Sequence, residues 1–362
     1  MVSYEGRNRR TVNYLKVLYF DYPEWIETNV SIMMATWLKY RDEVEDIVLR
    51  HPRVFPGWTK GRLGDYSFPD AGPLYLSGYH RDKWGTLWHN IERGLDSIPV
   101  EYPLDDWAKW DSWKTPNPEM ETEWGTRDWD AVEREIADTK RNGGFARGGG
   151  LMHGFFYMRL YYIRGFENLM MDIATDEPML KKLIKVIEDY SVRVTEKYLE
   201  RGAEYMTFGE DLGNQHGLPI SPAAWRKWIK PTYEKVMGPC RDRGIPVYLH
   251  SDGHILPIMQ DLMDVGVTMI NPQIRANGLP GLAKWKGKIA IHLDLDRQLF
   301  PFASKQELTD HIHEAIDTLK LPEGGLAIHA ECEPDVSLEN IETICSVLEE
   351  ACNLPDPAEV DA

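Results

Sequence analysis

Ile245-Pro246-Val247-Tyr248-Leu249 runs directly into His250-Ser251-Asp252-Gly253. A short apolar run that follows Gly244 and closes on a polar loop reads as a buried strand. Two other stretches have the same form. Tyr205-Met206-Thr207-Phe208 runs into Gly209-Glu210-Asp211, and Leu326-Ala327-Ile328 runs into His329-Ala330-Glu331-Cys332. A helical pattern follows each run. In a β/α architecture the chemistry collects at the carboxyl ends of strands. Three separate segments therefore bring Glu, His, Asp and Cys side chains to one expected rim, a donor set suited to Zn²⁺ with mixed nitrogen, oxygen and sulfur ligands.

On either side of these runs, the spacing of apolar residues predicts helices over 178–201, 255–265, 304–319 and 337–352, and strands over 267–270 and 289–293. Ser221-Pro222 opens a further helix that Pro231 should break. Repeated strand–loop–helix units imply a parallel sheet. The expected fold is α/β, a (β/α)8 TIM barrel, with a doubly wound open sheet as the structural alternative. Residues 1–150 read differently. A helix is expected over 32–49 and another over 130–142, with a loop-rich stretch between them that is dense in Trp, Pro, Gly and Asp. The expected organisation is a single domain in which 1–150 forms an aromatic-rich N-terminal extension with substrate-covering loops and 151–362 forms the main part of the barrel. With 13 Trp and 17 Tyr in the chain, most are packing residues, and a few early Trp are expected to line a pocket for a flat substrate.

Net charge narrows the function classes. At −17 over 362 residues, the chain is not expected to bind nucleic acid. No apolar stretch reaches membrane-spanning length and the start has no signal-peptide core, so a cytoplasmic protein is expected, with no membrane contact. The four cysteines (Cys240, Cys332, Cys345 and Cys352) form no CxxC pair, which excludes a zinc ribbon or a thioredoxin-like motif. No GxGxxG or P-loop pattern occurs, so neither dinucleotide nor NTP binding is signalled.

On an extended strand end, residues i and i+2 face the same side, so His250 and Asp252 can meet one ion. Asp252 could instead cap the next helix. Cys332 stands in a strand-end loop, whereas Cys240, Cys345 and Cys352 read as packing residues. Glu210 and Asp211 read as a ligand and a supporting acid, or as a cap or salt-bridge pair. Glu210, His250, Asp252 and Cys332 would complete a tetrahedral shell. A catalytic zinc keeps one position open, so Glu210 or Asp252 would be displaceable. His254, Asp294 and Asp296 are the expected outer or substrate-facing groups.

These segments resemble the uroporphyrinogen decarboxylase superfamily. The resemblance runs from about residue 165 to the C-terminus. It is carried by Gly165-Phe166-Glu167-Asn168-Leu169, Gly209-Glu210-Asp211-Leu212-Gly213, Pro219-Ile220-Ser221-Pro222 followed by Pro231, His250-Ser251-Asp252-Gly253-His254-Ile255, and Glu333-Pro334-Asp335-Val336-Ser337-Leu338-Glu339-Asn340. It implies a (β/α)8 barrel with its site at the barrel mouth. One branch of the superfamily is cofactor-free and holds its substrate carboxylates with an early arginine-rich segment that has no counterpart here. The other holds zinc methyltransferases that exchange methyl groups with corrinoid proteins. The coenzyme M enzymes of that branch carry His-x-Cys and a distant Cys. Here His250 and Cys332 match, and Asp252 stands in place of the first Cys.

The resemblance therefore implies a zinc-dependent O-demethylase methyltransferase. It would take the methyl group of a small methoxylated, aromatic substrate and give it to Co(I) of a corrinoid (cobalamin) carried by a separate protein. Its metal ligands would be Glu210, His250, Asp252 and Cys332. Asp211 and Asp252 would be catalytic, and His254, Asp294, Asp296 and His329 would bind substrate. A monomer and a homodimer are both open. The alternative is a metal-free lyase of the decarboxylase type centred on Asp211 and Asp252.

Overall fold

The computed structural model describes residues 3–151 and 154–360. Among the described residues there are ten strands: β1 (Glu27–Ile32), β2 (Gly78–Arg81), β3 (Leu87–Asn90), β4 (Ile98–Glu101), β5 (Arg147–Leu151), β6 (Tyr205–Glu210), β7 (Val247–Ser251), β8 (Met269–Pro272), β9 (Ala290–Asp294) and β10 (Leu326–Cys332). The chain divides into two compact units. One takes the chain up to Leu76, the short segment Glu92–Asp96 and everything from Asn271 on; the other takes Ser77–Ile91 and Ser97–Ile270. β8 is where the chain passes from the second to the first.

In the first unit β10 lies between β1 and β9, parallel to both, with Ser31 opposite Glu331 and His329 opposite Asp294. In the second unit β6 lies between β5 and β7, again all parallel, with Gly209 opposite His250. The expected α/β class is thus present in each unit. The strands are buried because helices cover them. In the second unit the helix Pro178–Glu200 buries Leu180, Leu183, Ile187 and Val194, the spacing that places residues on one helix face. Each such side chain contributes roughly 1.5–3 kcal/mol by leaving water. In the first unit the helices Lys305–Leu319 and Leu338–Ala351 do the same with Leu308, Ile312, Ile341 and Ile344. No helix among the described residues is long and apolar enough to cross a membrane.

Most expected elements appear within a few residues of the positions read from the sequence. Pro231 interrupts as expected, splitting Pro222–Trp228 from Lys230–Asp242 at Ile229. Three differences matter. The helix expected over 32–49 is two helices, Met34–Tyr40 and Asp42–Arg50, parted by Arg41 at φ 47°. A one-residue turn of this kind leaves no trace in an apolar period. Within the stretch expected as an extension, β1 is a parallel strand paired with β10. Its mixed sequence, Glu27-Thr28-Asn29-Val30-Ser31-Ile32, has no clean alternation to reveal it. The loop-rich stretch also folds an antiparallel sheet in the order β2-β3-β4.

The helix Lys305–Leu319 starts with a reciprocal cap. Ser304 Oγ accepts from the Glu307 N–H, and the Glu307 carboxylate accepts from the Ser304 N–H. Ser304→Ala removes one half of this exchange. Chemical denaturation of the variant should show a loss of about 1 kcal/mol.

Candidate metal centre

β6 and β7 end side by side in the second unit, with Glu210 opposite Ser251. Alternation along β7 turns Ser251 inward, where it is fully buried. Its Oγ accepts from the Leu212 N–H (3.0 Å) and donates to the Asp252 carbonyl (3.0 Å). The two strand-end loops then pack backbone to backbone. The Gly213 N–H donates to the Asp252 carbonyl, and the His254 N–H to the Asn214 carbonyl. Gly253 sits at φ 80°, and a Cβ there would lie 2.1 Å from Gly213 backbone atoms. Only glycine permits this approach, and the approach sets Asp211 beside His250 and Asp252.

The three side chains converge as a result. One ligand atom from each of Asp211, His250 and Asp252 lies within 4.8 Å of the others. His250 Nε2 is 3.3 Å from Asp252 Oδ1, with the two side chains 14% and 32% exposed. The expected pairing of residues i and i+2 at this strand end is therefore present. No side chain caps the short turn Leu256–Ile258 or the helix Met259–Val265, so Asp252 is not the cap of the following helix. One imidazole nitrogen and two carboxylates, half-buried and within one ion's reach, suit a borderline divalent cation such as zinc with a further position left for water or substrate.

Glu210, expected as a fourth ligand, is committed elsewhere. Its carboxylate is fully buried and accepts from the N–H groups of Phe156 (2.6 Å), Tyr157 (2.9 Å) and Met158 (2.8 Å). It closes the start of the helix Tyr157–Arg164, whose first N–H groups have no partner within the helix. Burial raises its proton affinity to about pKa 8, the three N–H donors oppose that shift, and Asp211 adds to it. The capping role left open by the sequence is the one found.

Cys332 belongs to the first unit and is also committed elsewhere. The apolar run ends at Ile328, but β10 continues to Cys332. Alternation then separates Cys332 from His329 and Glu331, which are half-buried on the opposite face. The Cys332 thiol is fully buried and interacts with Cys345 of the helix Leu338–Ala351. Burial first, then the charge of Glu331, pushes it up to about 12.

The other expected residues fall into two places. His254 follows Gly253 in the second unit, in the loop that carries Asp252. Asp294, Asp296 and His329 lie in the first unit. Asp296 is held by Arg275 at 2.8 Å and accepts from the Gln298 N–H. Asp294 is 1% exposed and meets both His329 Nδ1 (3.4 Å) and Arg297 (3.3 Å).

Two features of the second unit escaped the sequence reading. Arg159 is buried between Asp82 (3.3 Å) and Glu123 (2.8 Å), and its guanidinium lies over the rings of Trp84 and Tyr162. Burial raises the proton affinity of Glu123 despite this cation. Trp84 and Trp88, two of the early tryptophans, are core residues at 2% and 4% exposure, and Trp88 packs edge-on against Tyr162. Burial, then the charge of Asp211, raises the proton affinity of Tyr162. The aromatic cluster thus reaches the Asp211 side of the donor set.

The family model described as uroporphyrinogen decarboxylase (URO-D) matches residues 100–351, well over half of the chain. The chain belongs to this family. No curated protein matches it. Among solved structures, a methyltransferase from Methanosarcina mazei is similar at TM-score 0.59 and 12% identity, over 95% of this chain and 99% of that one. At that identity the likeness is one of fold. A protein described as a vitamin-B12-independent methionine synthase from Listeria monocytogenes overlaps at TM-score 0.40 and 11% identity, over 62% of this chain and 69% of that one, which is too loose to support an argument.

Glu210→Ala would leave three buried N–H groups without an acceptor. We expect a loss of about 2–4 kcal/mol in denaturation experiments, with cooperative unfolding retained.

Proposed function

We propose that this chain is a metal-dependent methyltransferase of (β/α)8-barrel type. It would demethylate a small methoxylated aromatic substrate and pass the methyl group to Co(I) of a corrinoid carried by a separate protein. The observation that supports this reading most is the Asp211, His250 and Asp252 donor set at two neighbouring strand ends. It occurs in a chain whose fold resembles that of a methyltransferase over nearly its whole length.

His250 Nε2 and one oxygen each from Asp211 and Asp252 would hold a divalent ion, zinc by the character of the donors. Bound there, the ion would supply Lewis acidity to the ether oxygen of the substrate. Phenoxide and alkoxide are poor leaving groups, so the departing oxygen must also be protonated. Asp252 is 32% exposed and 3.3 Å from His250, and it is assigned to handle that proton. Asp211, which directly follows the buried Glu210 at the end of β6, is assigned to keep the donor set fixed. His254, on the same loop as Asp252, is assigned to the substrate. The methyl carbon would pass to the corrinoid of the partner protein, whose Co(I) would supply the electron pair of the new bond. The C–O bond breaks, its electron pair stays on oxygen, and a proton completes the alcohol or phenol.

Elemental analysis of the purified chain and two variants tests the metal assignment directly. We expect about one zinc per chain in the parent protein. Metal should be lost in His250→Ala and retained in Cys332→Ala, because Cys332 faces a helix. Methyl transfer from methoxylated arenes to a reduced corrinoid protein should follow the metal. No metal in any sample after zinc has been offered would overturn the reading. It would move the function to the metal-free lyase centred on Asp211 and Asp252.

A further inference from the structure

The first unit carries a constellation that the metal reading does not use. Ser31 on β1, His329 on β10 and Asp294 on β9 lie on adjacent parallel strands. Ser31 Oγ is 3.0 Å from His329 Nε2. His329 Nδ1 is 3.4 Å from Asp294 Oδ1. That oxygen is buried and makes no hydrogen bond among the described residues, and the imidazole nitrogen faces it at 3.4 Å. Asp294 Oδ2 is steadied by Arg297 at 3.3 Å. The order is hydroxyl, imidazole, buried carboxylate. A buried carboxylate beside Nδ1 favours the tautomer with the proton on Nδ1, which leaves Nε2 to accept from the Ser31 hydroxyl. Ser31 is partly exposed and His329 is 16% exposed, so the hydroxyl end of the relay is the more open one.

We propose that Ser31, His329 and Asp294 form a second reactive centre, in which Ser31 Oγ is a nucleophile toward small neutral carboxylic esters. Asp294, Glu331 and Glu333 surround Arg297 and leave this face net negative, which selects against anionic acyl groups. The Ser31 oxygen forms a bond to the carbonyl carbon and its proton passes to His329 Nε2. The acyl C–O bond then breaks, and the leaving alkoxide takes that proton. Water repeats the sequence and releases the acid, so ester and water become acid and alcohol. Asp294 is a positioning residue that fixes the imidazole tautomer. This centre stands independently of the metal reading, because none of its three residues is a proposed ligand.

Treating the full chain with a fluorophosphonate probe, followed by intact-mass measurement and peptide mapping, tests the proposal. We expect a single adduct on Ser31 and none in Ser31→Ala. Labelling should slow by about 10²–10⁴-fold in His329→Gln. Asp294→Asn should slow labelling as well, and Asp294→Glu should recover part of the rate, because the imidazole needs a carboxylate to orient it. Melting curves matched to the parent protein would exclude misfolding of the variants. No Ser31 adduct in the folded parent chain, or equal labelling in His329→Gln, would overturn the proposal.

Discussion

The buried carboxylate of Glu210 is the constraint on which the candidate site depends. It takes three backbone N–H groups from the start of the helix Tyr157–Arg164 and so ties the end of β6 to that helix. Removing a carboxylate from water is costly, and without these donors the position would not hold an acid. The tie has two consequences in the second unit. It spends the side chain that the sequence suggests as a ligand, and it fixes the residue that follows. Asp211 is then brought against His250 and Asp252 by the close glycine contact between the two strand-end loops. Tyr162, carried on the same helix, is held near Asp211. A strand end, a helix start and an aromatic cluster are positioned together by one side chain.

The two-residue period of a β-strand makes the second decision. At the end of β7 it puts His250 and the following Asp252 on one side and buries Ser251 on the other. On β10 it puts His329 and Glu331 on one side and Cys332 on the other, against the helix that carries Cys345. The same rule that makes His250 and Asp252 a pair removes Cys332 from a ligand set. It also creates the alignment of Ser31, His329 and Asp294, since each lies on the same face of its own strand. Charge around that face is acidic, and Arg297 bridges Asp294 and Glu331.

Much of this was legible in the chain itself. The strands at 205, 247 and 326, the helices that follow them and the pairing of His250 with Asp252 come from local period and capping signals, which depend on neighbours in sequence. Glu210 was legible as an acid at a strand end, but not as a cap, because its partners lie more than fifty residues away. Cys332 was misplaced because Ala330 and Cys332 follow half-buried polar residues, a pattern that a loop and a strand share. β1 was missed because its polar residues hide the alternation, and Ser31 was missed with it. The buried Arg159 with Asp82 and Glu123 gave no signal, since those three residues are scattered along the chain.

By itself, then, the sequence determined the α/β class, the order of its main helices and strands, and the chemical kinds of residue at the strand ends. These are set by apolar period, glycine and proline positions, and alternation, all of which act between near neighbours. Tertiary structure alone decided which of those residues face one another. It gave Glu210 to a helix start and Cys332 to a helix layer, and left Asp211 with His250 and Asp252. The physical reason is that a polar side chain goes where its desolvation is best compensated, and that is decided by partners remote in sequence.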